Sequence, residues 1–146
     1  PQVTHLQKRH KDEVVREYTT YHDCGKPYCR IQEDGVVRFP NHAEASAFIW
    51  DHVGGNPIVG RLIRDDMVLH TASADEIAKK IDNEWSLQDT CTLLLVSMAE
   101  IHSNARLFGG IDSVSFKMKW KQLERRGKQI CKRCFGEKKC VILKAS

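Results

Sequence analysis

Three cysteines crowd one basic stretch near the end of the sequence: Cys131-Lys132-Arg133-Cys134-Phe135-Gly136-Glu137-Lys138-Lys139-Cys140. A thiol used only for packing prefers apolar neighbours, so cysteines among charges point to sulfur chemistry instead. Cys131 and Cys134 have the Cys-x-x-Cys spacing with which a tight backbone knuckle grips a soft metal, and Gly136 suits the bend that follows. A second pair, Cys24 and Cys29, brackets Gly25-Lys26-Pro27, a turn that would aim both thiols the same way. A structural zinc takes four tetrahedral ligands, and two separated pairs commonly supply them. One assignment uses Cys24, Cys29, Cys131 and Cys134. A rival uses Cys131, Cys134 and Cys140, completed by Cys24, Cys29 or His22. Lys26, Lys132 and Arg133 would favour the thiolate forms that zinc needs. Cys91 lies inside an apolar helical pattern and reads as a core residue.

Other cysteine chemistries fit less well. The extended spacings of iron–sulfur ferredoxins are absent. A thioredoxin-like redox motif belongs to a βαβ pattern, and no helix is expected after Cys134. The chain opens on a polar, basic stretch without the apolar core of a signal peptide, and its longest aliphatic run is Leu93-Leu94-Leu95-Val96. Secretion and membrane insertion are therefore not expected. A reducing location, cytoplasmic or nuclear, favours metal ligation over disulfides.

At 146 residues the chain suits one domain with a real core. Its net charge of +4 conceals a separation: residues 117–144 hold eleven Lys or Arg against two Glu, leaving −5 on the rest. A basic segment on an acidic body is a candidate surface for a polyanion.

The elements that must carry these groups follow from period and punctuation. Residues 4–18 suggest a polar helix with a thin apolar stripe. Glu33-Asp34-Gly35 between short β-prone runs (28–32 and 36–39) is a hairpin signal. Asn41 with Glu44 opens a helix that Gly54-Gly55-Asn56-Pro57 stops. Runs 58–63 and 67–70 around Arg64-Asp65-Asp66 suggest a second hairpin. Ser73 with Glu76 forms a capping-box pattern, and Ser86 can cap the most apolar helix, the expected centre of the core. Residues 114–121 alternate apolar with Ser or Lys, the pattern of a half-buried strand. Lys117, Lys119 and Lys121 would then stand in a row on its solvent face, about 6.6–7 Å apart. Lysines that merely protect an edge strand would look the same. Residues 125–128 read as a basic loop and 141–143 as a closing strand. The sum is a single α+β domain spanning 1–146, with short antiparallel hairpins around a central apolar helix. The zinc site would staple its two ends.

The function implied is a zinc-stabilised, regulatory nucleic-acid-binding protein, for DNA or RNA. Its phosphate contacts would be Lys117, Lys119, Lys121, Arg125, Arg126, Lys128, Lys132 and Arg133. Trp120 would face the core, and Phe135 in the knuckle would be open to stack on a base. No helix-turn-helix or zinc-finger spacing supports base-specific reading. A non-enzymatic regulator that docks on transcription or replication proteins is the alternative. A small nuclease using Asp65 and Asp66 is a third reading, but no catalytic motif accompanies those acids, so no enzyme is expected.

Overall fold

Residues 9–136 are described by the structure, a computed structural model. They are mostly helical, with one two-stranded hairpin, and group into two compact units. The first, Lys11–Met67, holds α1 (Asp12–Tyr21), α2 (Lys26–Cys29), β1 (Ile31–Glu33), β2 (Val36–Arg38), α3 (His42–His52) and α4 (Pro57–Arg64). The second joins Arg9 and His10 to the chain from Val68 onward. It holds α5 (Val68–Thr71), α6 (Ala74–Asn83), α7 (Leu87–Ser103), a 3-10 turn (Ala105–Phe108) and α8 (Val114–Phe135). No helix among the described residues is long and apolar enough to cross a membrane.

In the first unit α4 packs on both α1 and α3, and α2 packs on α3. Tyr18, Ala47, Val59, Leu62 and Ile63 form its core. The hairpin expected at Asp34-Gly35 is present, pairing Ile31 with Arg38, Gln32 with Val37 and Glu33 with Val36. Asp34 and Gly35 both take positive φ, as a two-residue hairpin turn demands. Asn41 precedes α3 in a left-handed conformation, but its side chain makes no capping bond. The first helix begins only at Asp12, so the expected 4–18 span is corrected where it is described, and residues 4–8 lie outside the described chain.

The second expected hairpin is not formed. Residues 58–63 lie in α4 and most of 67–70 in α5. The deciding residues are Asn56 and Pro57. The Asn56 side chain accepts from Ile58 N at 2.9 Å, and Pro57 sits in the first turn, where its missing N–H costs nothing. Val59, Gly60, Leu62 and Ile63 are then buried at helical spacing.

Gly25 shows how tightly α2 meets α3. Its N–H donates to Ser46 Oγ at 2.8 Å, and an added Cβ would lie 2.5 Å from the Ser46 backbone nitrogen. Gly25→Ala therefore forces the two elements apart. The expected loss is about 1–3 kcal/mol of unfolding free energy, measured by urea denaturation.

In the second unit α7 is the central element. Thr90, Cys91, Thr92, Leu93, Leu94, Val96 and Ile101 are all buried, so Cys91 is a core residue as expected. Both serine caps form as expected. Ser73 and Glu76 exchange bonds of 2.7 and 3.2 Å, and Ser86 and Asp89 exchange bonds of 3.1 and 3.0 Å. The other oxygen of Asp89 meets His10 Nε2 at 2.6 Å, while His10 N donates to Thr92 Oγ1 at 3.0 Å. These bonds tie the entering chain to the start of α7.

The largest correction concerns 114–121. This stretch is helical and opens α8, which also absorbs the supposed basic loop and the supposed cysteine knuckle. Ser113 caps it by accepting from Phe116 N at 3.1 Å. Phe116, Leu123, Gly127, Ile130 and Cys131 are buried at helical spacing, whereas Val114 and Met118 are 75% and 67% exposed. The apparent alternation was the overlap of two helix faces. The segment 141–143, expected as a strand, lies outside the described residues.

His70, at the end of α5, adds a pH dependence. Burial pushes its pKa below the ordinary 6.5; Glu100 opposes this and Lys119 adds to it. The unfolded chain then binds the proton more readily. The resulting stability is complete above pH 6.5 and is lost as pH falls through the lower folded value. Unfolding free energy should therefore drop below pH 6.5, by up to about 1.4 kcal/mol per pH unit. His70→Gln should flatten that part of the profile.

Candidate functional site

Helical geometry sorts the eight basic residues by face. Lys117, Lys121, Arg125, Lys128 and Lys132 follow one another at steps of four, four, three and four, and all five are exposed. At 100° per residue they occupy an arc of about 80°, and at 1.5 Å rise they run for about 22 Å. The arc lies opposite the buried face of Phe116, Leu123, Gly127 and Ile130. Among the described residues Lys117, Lys121, Arg125 and Lys128 have no ion-pair partner. This is a cationic ridge.

The other three have different surroundings. Lys119 is turned about 200° from Lys117, so the expected three-lysine row does not exist. Its ammonium lies over the Phe108 ring at 4.9 Å. Arg126 Nη2 donates to Ala72 O at 2.6 Å. Arg133 grips both oxygens of Asp82, with its Nε at 2.8 Å from Oδ1 and its Nη2 bonded to Oδ2. That pair holds the Asp82 carboxyl below its usual range and raises Arg133. Gln122 and Gln129 donate to His70 O at 3.2 Å and Ala74 O at 2.6 Å. Gln122, Arg126 and Gln129 thus latch α8 to the carbonyls of His70, Ala72 and Ala74, and Arg133 latches it to the Asp82 carboxylate in the last turn of α6.

Of the predicted aromatics, Trp120 is half-buried and stacks on Phe116, 5.9 Å between centroids, and His102 meets both rings edge-on. Phe135 lies half-buried in the last turn of α8 and not in a knuckle.

The cysteines divide between the units. Cys24 precedes the single turn of α2 and Cys29 ends it, both half-buried, and Cys24 Sγ donates to Ser46 O at 3.6 Å. Cys131 is buried on the inner side of α8 and is disulfide-bonded. Cys134 follows three residues later on the same helix, half-buried, and burial pushes its thiol pKa up. The guanidinium of Arg133 opposes that shift without overcoming it, so the thiolate-forming effect expected of it is outweighed by burial here. Cys140 lies outside the described residues.

A further cluster escaped the sequence reading. The Asp23 carboxylate receives Lys26 Nζ at 2.6 Å, with His22 Nε2 at 3.5 Å and His42 Nε2 at 3.6 Å. Each imidazole donates through Nδ1 to a carbonyl, Thr19 O at 2.9 Å or Phe39 O at 3.0 Å, which turns Nε2 toward the acid. Nearby in the same unit, the buried Asp66 accepts from the Tyr18 hydroxyl, and Asp65 ends α4 as its C-cap. Only the adjacency of His22 and Asp23 was visible in the sequence. His42 and Tyr18 reach their partners through tertiary packing.

Compared with protein families, curated proteins and solved structures, the chain finds no match in any of the three.

Proposed function

We propose that this protein binds nucleic acid, DNA or RNA, through the phosphate backbone, using the solvent ridge of α8. The observation that carries the reading is the 4-4-3-4 spacing of Lys117, Lys121, Arg125, Lys128 and Lys132 on one exposed helix face. A rigid helix holds these charges in register, and among the described residues Lys117, Lys121, Arg125 and Lys128 pair with no acid. Glu124 stands only at its margin, half-buried. The contacts would be to phosphates, so affinity without strong base preference is expected. A regulatory role belongs to this proposal, and a non-enzymatic regulator that docks on transcription or replication proteins is the alternative to it.

The test is a salt titration of binding to a duplex and to a single strand. Five phosphate contacts give a log–log slope of about −4.5 on duplex DNA and about −3.5 on a single strand. Binding that ignores salt would overturn the reading.

The zinc expected on Cys24, Cys29, Cys131, Cys134 and Cys140 is a separate part of the proposal, supported by the half-buried pair Cys24 and Cys29 at α2. It requires Cys131 in its reduced form. Elemental analysis of reduced protein should find about one zinc per chain. Cys134→Ser should lose it and Cys91→Ala should keep it. Equal metal in wild type and Cys134→Ser would remove Cys134 from the ligand set.

A further inference from the structure

We infer that the flank of α8 forms a binding cleft for the phosphoryl group of a nucleotide. Ser115, Met118, Lys119, Gln122, Arg125 and Arg126 line a cleft of about 550 Å³. Three of the six are cations and none is an acid. This cleft shares only Arg125 with the ridge and does not depend on nucleic acid binding there.

Two of the cations are already positioned. Arg126 is held by Ala72 O at 2.6 Å, and Lys119 is held over the Phe108 ring at 4.9 Å. Groups fixed before binding lose little freedom when a ligand arrives. Arg126 also carries a buried Nε with no hydrogen-bond partner among the described residues. A guanidinium with an unused donor is an incomplete fork, and phosphate, like carboxylate, has oxygens spaced to complete one. Ser115 is the second residue of α8, so the positive end of a 22-residue helix dipole lies at the Ser115 end of the cleft, about 6 Å along the axis from Lys119.

The size and one apolar wall define the rest of the ligand. The volume falls within the range of about 300–1,000 Å³ that accepts whole small molecules, well beyond a bare phosphate. Met118, 67% exposed, offers a polarizable thioether to the edge of a flat ring. Phosphate at Arg126 and Lys119 with a base near Met118 describes a mononucleotide, either free or at the end of a strand.

Equilibrium titration of the full chain with 5′-AMP, adenosine and 5′-phosphorylated or unphosphorylated dodecamers tests this. AMP, the phosphorylated dodecamer, or both should bind about tenfold or more tightly than the unphosphorylated counterpart. Ser115→Asp should reduce that preference about tenfold. It places a carboxylate in the cleft, yet an acid in the first turn suits the helix dipole and leaves folding intact. Arg126→Lys should weaken it as well, because the charge remains and the fork is lost. Lys117→Gln with Lys128→Gln should leave AMP affinity within about twofold while weakening dodecamer binding. Phosphate dependence confined to the dodecamers places the ligand at a strand end and supports the cleft. Absence of any phosphate preference, or a preference that survives Ser115→Asp, overturns it. Failure of the ridge variants alone would count against the ridge and leave the cleft standing.

Discussion

Gln at Lys117, Lys121, Arg125, Lys128 and Lys132 together should remove most nucleic acid affinity at low salt while leaving the protein folded. The magnitude follows from counterion release. With a slope of about −4.5, raising salt from 50 to 200 mM weakens duplex binding of the wild type by about 500-fold, and the five-residue variant should lose nearly all of that dependence. Each single Gln substitution should lower the slope by about one, whatever the base sequence. Stability should hardly change, because all five side chains are exposed and surface substitutions usually stay within about 0.5 kcal/mol. Arg133→Gln with Lys79→Gln removes two cations from positions off the ridge and is the charge-matched control for the two-residue ridge variant Lys117→Gln with Lys128→Gln. Arg133 is already engaged by Asp82. The control should keep a slope close to wild type. A control that falls as far as that two-residue ridge variant would mean that net charge, not the ridge, governs binding.

The second large effect separates the helical from the extended form of 114–121. In α8, Phe116 and Leu123 face the core while Val114 and Met118 face water. Phe116→Ala should cost about 3–5 kcal/mol and Leu123→Ala about 2–5 kcal/mol of unfolding free energy. Val114→Ala and Met118→Ala should cost no more than about 0.5 kcal/mol. On a half-buried strand, Val114, Phe116, Met118 and Trp120 would share one face and their truncations would cost comparable amounts. Urea denaturation of the four variants distinguishes the patterns, and large losses at Val114 and Met118 would exclude the helix. The outcome also bears on the ridge, because only a helix separates Lys119 from Lys117 and Lys121.

Features carried by a few adjacent residues were legible in the sequence. Asp34-Gly35 specifies its turn through local backbone preference, and Ser73 with Glu76 or Ser86 with Asp89 caps a helix through bonds spanning three residues. The apolar density of α7 is equally local, and it places Cys91 in the core whatever surrounds it. Asn56-Pro57 carried a comparable start signal for α4. The same residues also stop the preceding helix, so the local signal does not separate an end from a start.

The candidate site was legible as composition and not as arrangement. By itself the sequence determined how many cations and thiols crowd the C-terminal segment, and where the Asp34-Gly35 turn and the Ser73 and Ser86 caps fall. Eight residues of alternation cannot exclude a helix whose burial repeats over 22 residues, so the fate of the three lysines depended on what α8 packs against. Tertiary structure alone decided which cations bond to Ala72 and Asp82, and which five remain on the ridge. It also decided that burial outweighs Arg133 at the Cys134 thiol. The physical reason is range. Capping and turn bonds close within a few residues, whereas desolvation and long-range ion pairing are properties of neighbours that only the folded chain brings together.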